Sequence, residues 1–375
     1  MNYSISPSPR IRRSPFYDAT VEDGVQSFSP YNRMLMPTSY GHPDEEYRRI
    51  IDGVSMWDVA VERQVELNGP DAMRLAQVLS PRKLDGLKVG LGWYIPICDH
   101  RGTIINDPIL LKHSDNKLWF SIADGDLMLW ARAIAAERGF DVEVFEPDVS
   151  PLAIQGPQAE NVVADLLGES VRSIRHFWFR DMMLDDIPLV VARSGWSHQG
   201  GFELYLTDGS KGYELWQRVK QAGQPYGIGP GNPNSKERVE SGLLSWGGDT
   251  DDDTNPFEVR LGRYIDLDAP DEVVGIQALR AIHATGIKRH QLGVFINREG
   301  QIVYSDQPSL IYKGDVMVGK VTAQCWSPRL QRNIGLTLLS IDANIGDQVK
   351  VKMPDGVTVA GELTDLPFLS AGRPA

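Results

Sequence analysis

Positive charge is in short supply: 38 Lys and Arg face 50 Asp and Glu, a net charge of -12 over 375 residues. The chain therefore lacks the basic face that supplies most nucleic-acid affinity, which excludes DNA and RNA as partners. Anionic membrane surfaces would repel it too. Cysteine is scarcer still, with only Cys98 and Cys325, far apart in the chain. Neither has a Cys, His or Asp at metal-ligand spacing, so two buried thiols in a reducing compartment are expected, with no disulfide and no metal. No stretch approaches the ~18 apolar residues of a membrane-spanning helix. The first residues, Met1 to Phe16, contain no apolar segment of a secretory signal. Location in the cytoplasm is the resulting expectation.

Familiar catalytic signatures are missing as well. There is no GxxxxGK[ST] loop, no HExxH and no GxSxG. Gly227-Ile228-Gly229-Pro230-Gly231 resembles a phosphate loop, but Pro230 removes a backbone donor that such a loop needs, so a turn is expected. The acidic run from Asp249 to Asp253 reads as a solvated loop, because no further acids fall at calcium-loop spacing.

What is present is an ordinary globular balance, 42% hydrophobic and 23% charged, with length for two or three domains. The first 40 or so residues, rich in Pro, Ser and Arg, show little periodicity and read as an arm. Patterning starts near Glu45. Helices are expected at 44–51, 72–79 (capped by Asp71), 127–138 (ended by Gly139), 159–167, 211–222 and 276–284. Strands are expected at 64–67, 93–98, 104–112, 117–122, 152–154, 177–183, 189–193 and 201–206. These pieces suit split α+β layers. From about Ile287 six short strands, at 291–296, 301–304, 316–322, 333–338, 348–352 and 357–363, predict a small antiparallel barrel or sandwich. A boundary near residue 286 gives regions 1–286 and 287–375.

Three loop features can carry polar chemistry. Asp107, in Asn106-Asp107-Pro108, precedes the apolar Ile109-Leu110-Leu111, so a partly buried acid or a turn aspartate are both open. In Gly200-Gly201-Phe202-Glu203-Leu204-Tyr205, alternation puts Glu203 and Tyr205 on one strand face beside two glycines. That face is either solvated or a grip for a flat ring with N–H donors. Arg238 follows the Asn234-Ser235 cap, in a first turn where Arg is unusual. Either a carboxylate ligand or a neighbouring acid such as Glu237 pairs with it.

Together the segments resemble the glycine-cleavage T-protein (aminomethyltransferase) family. The resemblance rests on Val54–Val59, Val65–Ala72, Leu152–Pro157, Gly200–Leu204, Arg238–Leu244 and Val318–Thr322, and spans roughly residues 20 to 370 in order. Tyr31–Thr38, Trp57–Val65, Ala192–Ser197 and Glu237–Ser245 are similar to its dimethylsulfoniopropionate demethylase branch. The family's glycine-cleaving members carry Ser-His-Met where Ala60-Val61-Glu62 stands here, which argues against glycine cleavage.

The resemblance implies an α+β fold of three domains in a ring around a tetrahydrofolate channel. It implies a tetrahydrofolate-dependent methyltransferase that moves a methyl group from a sulfonium donor such as dimethylsulfoniopropionate to N5 of the folate. The alternatives are demethylation of an N-methyl or O-methyl compound, or a non-catalytic folate-binding protein. Asp107 would be catalytic. Tyr94, Asp107, Ser121, Gln155, Glu203, Tyr205 and Arg238 would line the folate site. Trp196, Tyr31, Arg33 and His198 would flank the small-molecule methyl donor. Arg33, His198 and Tyr17 depart from the branch's pattern of His, Lys and a small residue. Whether the chain forms a homodimer is left open.

Overall fold

The computed structural model describes residues 8–302, 305 and 307–369. Its first sheet has six strands in the order Phe179–Leu184, Ile187–Ala192, Gly201–Leu206, Ser150–Gln155, Ser55–Asp58 and Gly229–Gly231. All neighbours are antiparallel except the last pair. Strand alternation sends Leu152, Ile154, Leu189, Val191, Phe202 and Leu204 to one face, where helices Ala159–Leu167 and Gly212–Gly223 cover them. Each fully buried aliphatic side chain contributes about 1.5–3 kcal/mol there.

The second sheet has five antiparallel strands in the order Glu143–Phe145, Gln64–Asn68, Lys117–Ser121, Ile109–Lys112 and Gly92–Tyr94. Helices Ala72–Leu79 and Leu127–Arg138 bury Leu75, Leu79, Ala131 and Ile134 against it. In sequence this unit is inserted between Asp58 and Ser150 of the first. The uncovered faces of the two sheets meet through Leu111, Trp119, Phe179, Val190 and Tyr205.

The barrel is closed and has six strands, in the order Arg289–Ile296, Arg332–Ser340, Val316–Ser327, Ser309–Lys313, Gln348–Lys352 and Thr358–Thr364. It touches the first unit through Cys325, Ile334 and Leu336 against Val239, and the second through Leu338 against Ile104, Val259 and Leu261. The three units therefore close a triangle, each packed on the other two. Among the described residues no helix is long and apolar enough to cross a membrane.

Several sequence expectations need correction. Of the expected arm, residues 1–7 lie outside the described set, and the rest is no arm: helix Tyr17–Glu22 and the hairpin Ser27–Tyr31/Met34–Ser39 pack on the first unit, with Phe16 wholly buried. Its lack of periodicity reflects elements too short to show any. The strands expected at 93–98 and 104–112 are each cut in two, at Ile95-Pro96 and at Asp107-Pro108, because proline cannot donate to a ladder. Asp71 does not cap its helix; its carboxylate accepts from Asp141 N at 2.9 Å. Gly229–Gly231 is an edge strand rather than a turn, with room for no side chain: a Cβ on Gly231 would lie 2.4 Å from Ser55 Oγ. In the barrel Gln301 and Ile302 are irregular, residues 303 and 304 lie outside the described set, and the second strand is Ser309–Lys313.

Candidate active site

Two prolines build the centre of the site. Pro108 ends the Ile104–Asn106 ladder, and Ile109–Lys112 joins a different sheet, so Asp107 stands at the break. Ile95 N donates to Pro108 O at 3.0 Å, which holds the two breaks side by side. Tyr94 OH then donates to Asp107 Oδ2 at 2.8 Å. Burial pushes the Asp107 carboxyl up to about 7; the Tyr94 bond opposes this, and the charge of Asp249 adds to it. Next door the wholly buried Asn106 locks its amide to both backbone groups of Ala123.

The N-terminal hairpin reaches this point through its tip. Asn32, at φ 47, bonds Val61 O, Ala123 O and Gly125 N with its side chain, and its N–H donates to Asp124. Asn tolerates the left-handed conformation better than most residues. The anchored tip delivers Tyr31, whose hydroxyl burial holds well above its ordinary range, with the charges of Glu62 and Asp107 adding. Glu62 lies on the crossover between the two sheets. Burial raises its carboxyl well above the usual range, and Glu203 and Asp107 raise it further.

Glu203 and Tyr205 share the strand face that alternation predicted, and the face is buried, not solvated: they are 5% and 0% exposed. Ser194 Oγ and Tyr205 OH, the latter at 3.1 Å, both donate to Glu203 Oε2. Ser121, bonded to Gln64 Nε2 at 2.9 Å, also touches the Tyr205 hydroxyl. Gln64 Oε1 is a buried acceptor with no partner. Burial raises Glu203 as well. No Lys or Arg bonds Glu62, Asp107 or Glu203 among the described residues.

Gln155 behaves differently from its neighbours. Its Nε2 donates to Ser194 O and Phe202 O, and its Oε1 accepts from Ser197 Oγ at 2.7 Å. All its amide capacity facing this loop is used by protein, so Gln155 holds the 194–202 loop. Glycine is required above it, since a Cβ on Gly195 would sit 1.9 Å from Gln155 Nε2.

Arg238 is the middle residue of the seven-residue helix Ser235–Ser241, with Asn234 as its cap. The neighbouring acid it pairs with is not Glu237 but Asp249, at 2.6 Å. Asp249 is itself 3% exposed and also accepts from Thr322 Oγ1 of the barrel, so the expected solvated run begins with a buried clamp between units. The Arg238 guanidinium stands 5.8 Å from the Trp196 ring centroid, and Trp196 Nε1 donates to Leu244 O at 3.2 Å. His198 N–H and Gln199 Nε2 both bond Glu237; the His198 Nδ1 is buried without a partner, and burial lowers the ring's pKa. Arg33 pairs with Asp126 at 3.1 Å on the surface.

The structure thus gathers Tyr31, Tyr94, Asp107, Ser121, Glu203 and Tyr205. It places Trp196, His198 and Arg238 on an adjoining wall and leaves Arg33 outside. Sequence reasoning missed Glu62, Gln64 and Asp249. Glu62 had one signal, the replacement of Ser-His-Met by Ala60-Val61-Glu62. Gln64 and Asp249 had none, since ordinary strands and acidic loops carry such residues.

Two α+β units and a barrel gathered around Asp107 are an arrangement shared with known proteins. The GCVT N-terminal domain family matches residues 16–269, and the glycine cleavage T-protein C-terminal barrel domain family matches residues 289–369. The chain belongs to the glycine cleavage T-protein family. It is 39% identical over 355 residues to the dimethylsulfoniopropionate demethylase of Ruegeria pomeroyi, covering 94% of this chain and 96% of that one. To the aminomethyltransferase of Caldanaerobacter subterraneus subsp. tengcongensis it is 27% identical over 360 residues, 93% of this chain and 92% of that one. The crystal structure of glycine cleavage system aminomethyltransferase T from Bartonella henselae matches the fold with a TM-score of 0.83 at 21% identity, over 96% of this chain and 99% of that one.

Proposed function

We propose that this chain is a tetrahydrofolate-dependent methyltransferase that demethylates a sulfonium donor, dimethylsulfoniopropionate being the first candidate. The observation that carries the reading is the cluster of three carboxyls, the buried Glu203 and the half-buried Glu62 and Asp107, to which no Lys or Arg is bonded among the described residues. Such a site favours a cationic donor over a neutral methyl ether. The 39% identity to a dimethylsulfoniopropionate demethylase supports the donor's name. The working division is a folate-binding region at 1–286, closed by the barrel at 287–375.

The residues present fit a tetrahydropteridine. Glu203 and the unpartnered Gln64 Oε1 are buried acceptors for ring N–H groups, and Tyr31, Tyr94 and Tyr205 supply aromatic faces. Ser121 and Gln155 set the orientation of Tyr205 and of the 194–202 loop. When bound, the folate supplies the lone pair of N5 as nucleophile. Asp107 Oδ1, the oxygen Tyr94 leaves free, is available for the proton that N5 gives up, and a carboxyl near 7 suits that transfer at neutral pH. The donor's carbon–sulfur bond breaks with its electron pair kept on sulfur. The leaving group is a neutral thioether, which needs no general acid. The rest of the barrier is lowered by positioning. Trp196, Tyr31 and His198 are the proposed donor contacts, and Arg238 is the fixed cation of that wall.

The test is a screen of methyl donors with tetrahydrofolate, reading 5-methyltetrahydrofolate by mass. Dimethylsulfoniopropionate is expected to be turned over. Product from O-methyl donors alone, or from none, overturns the reading.

A further inference from the structure

We propose that Glu62 selects the methyl donor by charge: its carboxylate is the counter-ion of the sulfonium, a contact that a neutral donor of the same shape cannot use. This inference rests on the donor reading above and assigns it to one residue.

Glu62 sits on the crossover between Asp58 of the first sheet and Gln64 of the second. Its backbone is fixed on both sides. Glu62 N donates to Val59 O at 2.9 Å, and Glu62 O accepts from Gln64 Nε2 at 2.7 Å. The preceding carbonyl, Val61 O, accepts from Asn32 Nδ2 at 2.9 Å, which ties the crossover to the hairpin tip that carries Tyr31. The backbone therefore aims the side chain, with no partner of its own to hold it.

Of the three carboxyls, Glu62 is the one left unbonded. Asp107 accepts from Tyr94 OH, and Glu203 from Ser194 Oγ and Tyr205 OH. Among the described residues no group donates to the Glu62 side chain; the one bond that Gln64 gives it goes to the backbone. The arginine next in sequence is committed elsewhere. Arg63 bonds Glu146 at 2.5 Å, and Arg12 meets the same carboxylate at 2.9 Å. Gln64 itself is wholly buried, and its Oε1 has no partner either. Two unsatisfied acceptors side by side are costly unless a ligand completes them.

The titratable groups that face Glu62 are Glu203, Asp107, Tyr31 and Tyr205, none of them basic. Burial, then Glu203 and Asp107, hold its carboxyl well above the usual range, so the empty site keeps a proton there. A sulfonium reverses the balance, because an opposite charge within ~4–6 Å favours the ionised carboxylate by about 1–3 pH units. The cation enters and the proton leaves to solvent, so the charge of the site is the same before and after. During transfer the positive charge passes from sulfur to N5 inside the same pocket. Glu62 thus stabilises bound donor and transition state alike, and its effect falls on KM.

The test uses dimethylsulfoniopropionate and its isostere 4-methylpentanoate, in which a C–H group replaces the sulfonium. The full chain, without folate so that nothing turns over, is titrated with each by calorimetry in buffers of different ionisation enthalpy. The wild type is expected to bind the sulfonium at least roughly tenfold more tightly and to release about one proton per donor. The isostere should release none. Glu62→Gln keeps the shape of the protonated acid. It should lose most of the preference and of the proton release, and with folate present its donor KM should rise roughly tenfold or more, with kcat moving less. Glu62→Asp keeps the charge and should restore part of the preference. An unchanged preference in Glu62→Gln, or no proton released by the wild type, overturns the role of Glu62 and leaves the donor reading standing. A wild type that binds the isostere as tightly as the sulfonium overturns the donor reading, and this inference with it.

Discussion

Replacing Asp107 by Asn removes one ionisable group while keeping an acceptor for the Tyr94 hydroxyl. The carboxyl is raised from its ordinary value of 3.8 to about 7, chiefly by burial. The folded state therefore holds the proton more tightly than the unfolded state does. The stability this represents is fully present below about pH 4 and is lost as pH rises through about 7. At about 1.4 kcal/mol for each tenfold change in proton affinity, the full loss is at most about 4 kcal/mol. Asp107 keeps some contact with solvent, so an effective value on the order of 2 kcal/mol is expected. Asp107→Asn cannot ionise and escapes that loss. Its melting temperature should match the wild type near pH 4 and exceed it by a few degrees near pH 8.5. Turnover should move the other way. The wild type is expected to show a limb of kcat that rises with pH through about 7, as Asp107 becomes able to accept a proton. Asp107→Asn should lose that limb and most of its turnover, with folate binding changed little. The assays are scanning fluorimetry across pH and product formation under saturating folate. Equal melting shifts at both pH values, or near-normal turnover, would refute the assignment of both the buried acid and its role.

Asp249→Ala strips the acid from the buried Arg238 and cuts the Thr322 link to the barrel, and should cost about 3–5 kcal/mol in urea unfolding; a loss below about 1 kcal/mol means the pair is not a clamp between units. Trp196→Leu removes an aromatic face from the proposed donor wall and should raise the donor KM several-fold at unchanged folate Kd, since a cation–π contact is worth ~0.5–2 kcal/mol. An unchanged KM removes Trp196 from that wall.

Local pattern carried much of the fold. Helices Ala72–Leu79, Leu127–Arg138 and Ala159–Leu167 are legible to the residue, because apolar periodicity and glycine or loop boundaries agree there. The Gly139 stop adopts φ 64, as a glycine helix end should. Alternation in Gly201–Leu206 likewise separated Phe202 and Leu204 from Glu203 and Tyr205. Short elements escaped: Tyr17–Glu22 and its hairpin have no period to read, and their order comes from burying Phe16 and from the Asn32 anchor.

By itself the sequence determined the α+β class and the barrel, and singled out Asp107, Glu203 and Tyr205 as polar groups worth a role, since periodicity and residue chemistry are local properties. Only the tertiary structure decided that Pro108 leaves Asp107 between two sheets beside Tyr94, that Glu62 joins Glu203 and Asp107 from the crossover, and that Asp249, 11 residues beyond Arg238, supplies its acid. These pairings set the pKa values and the charge of the site, because burial and proximity arise only when distant segments pack.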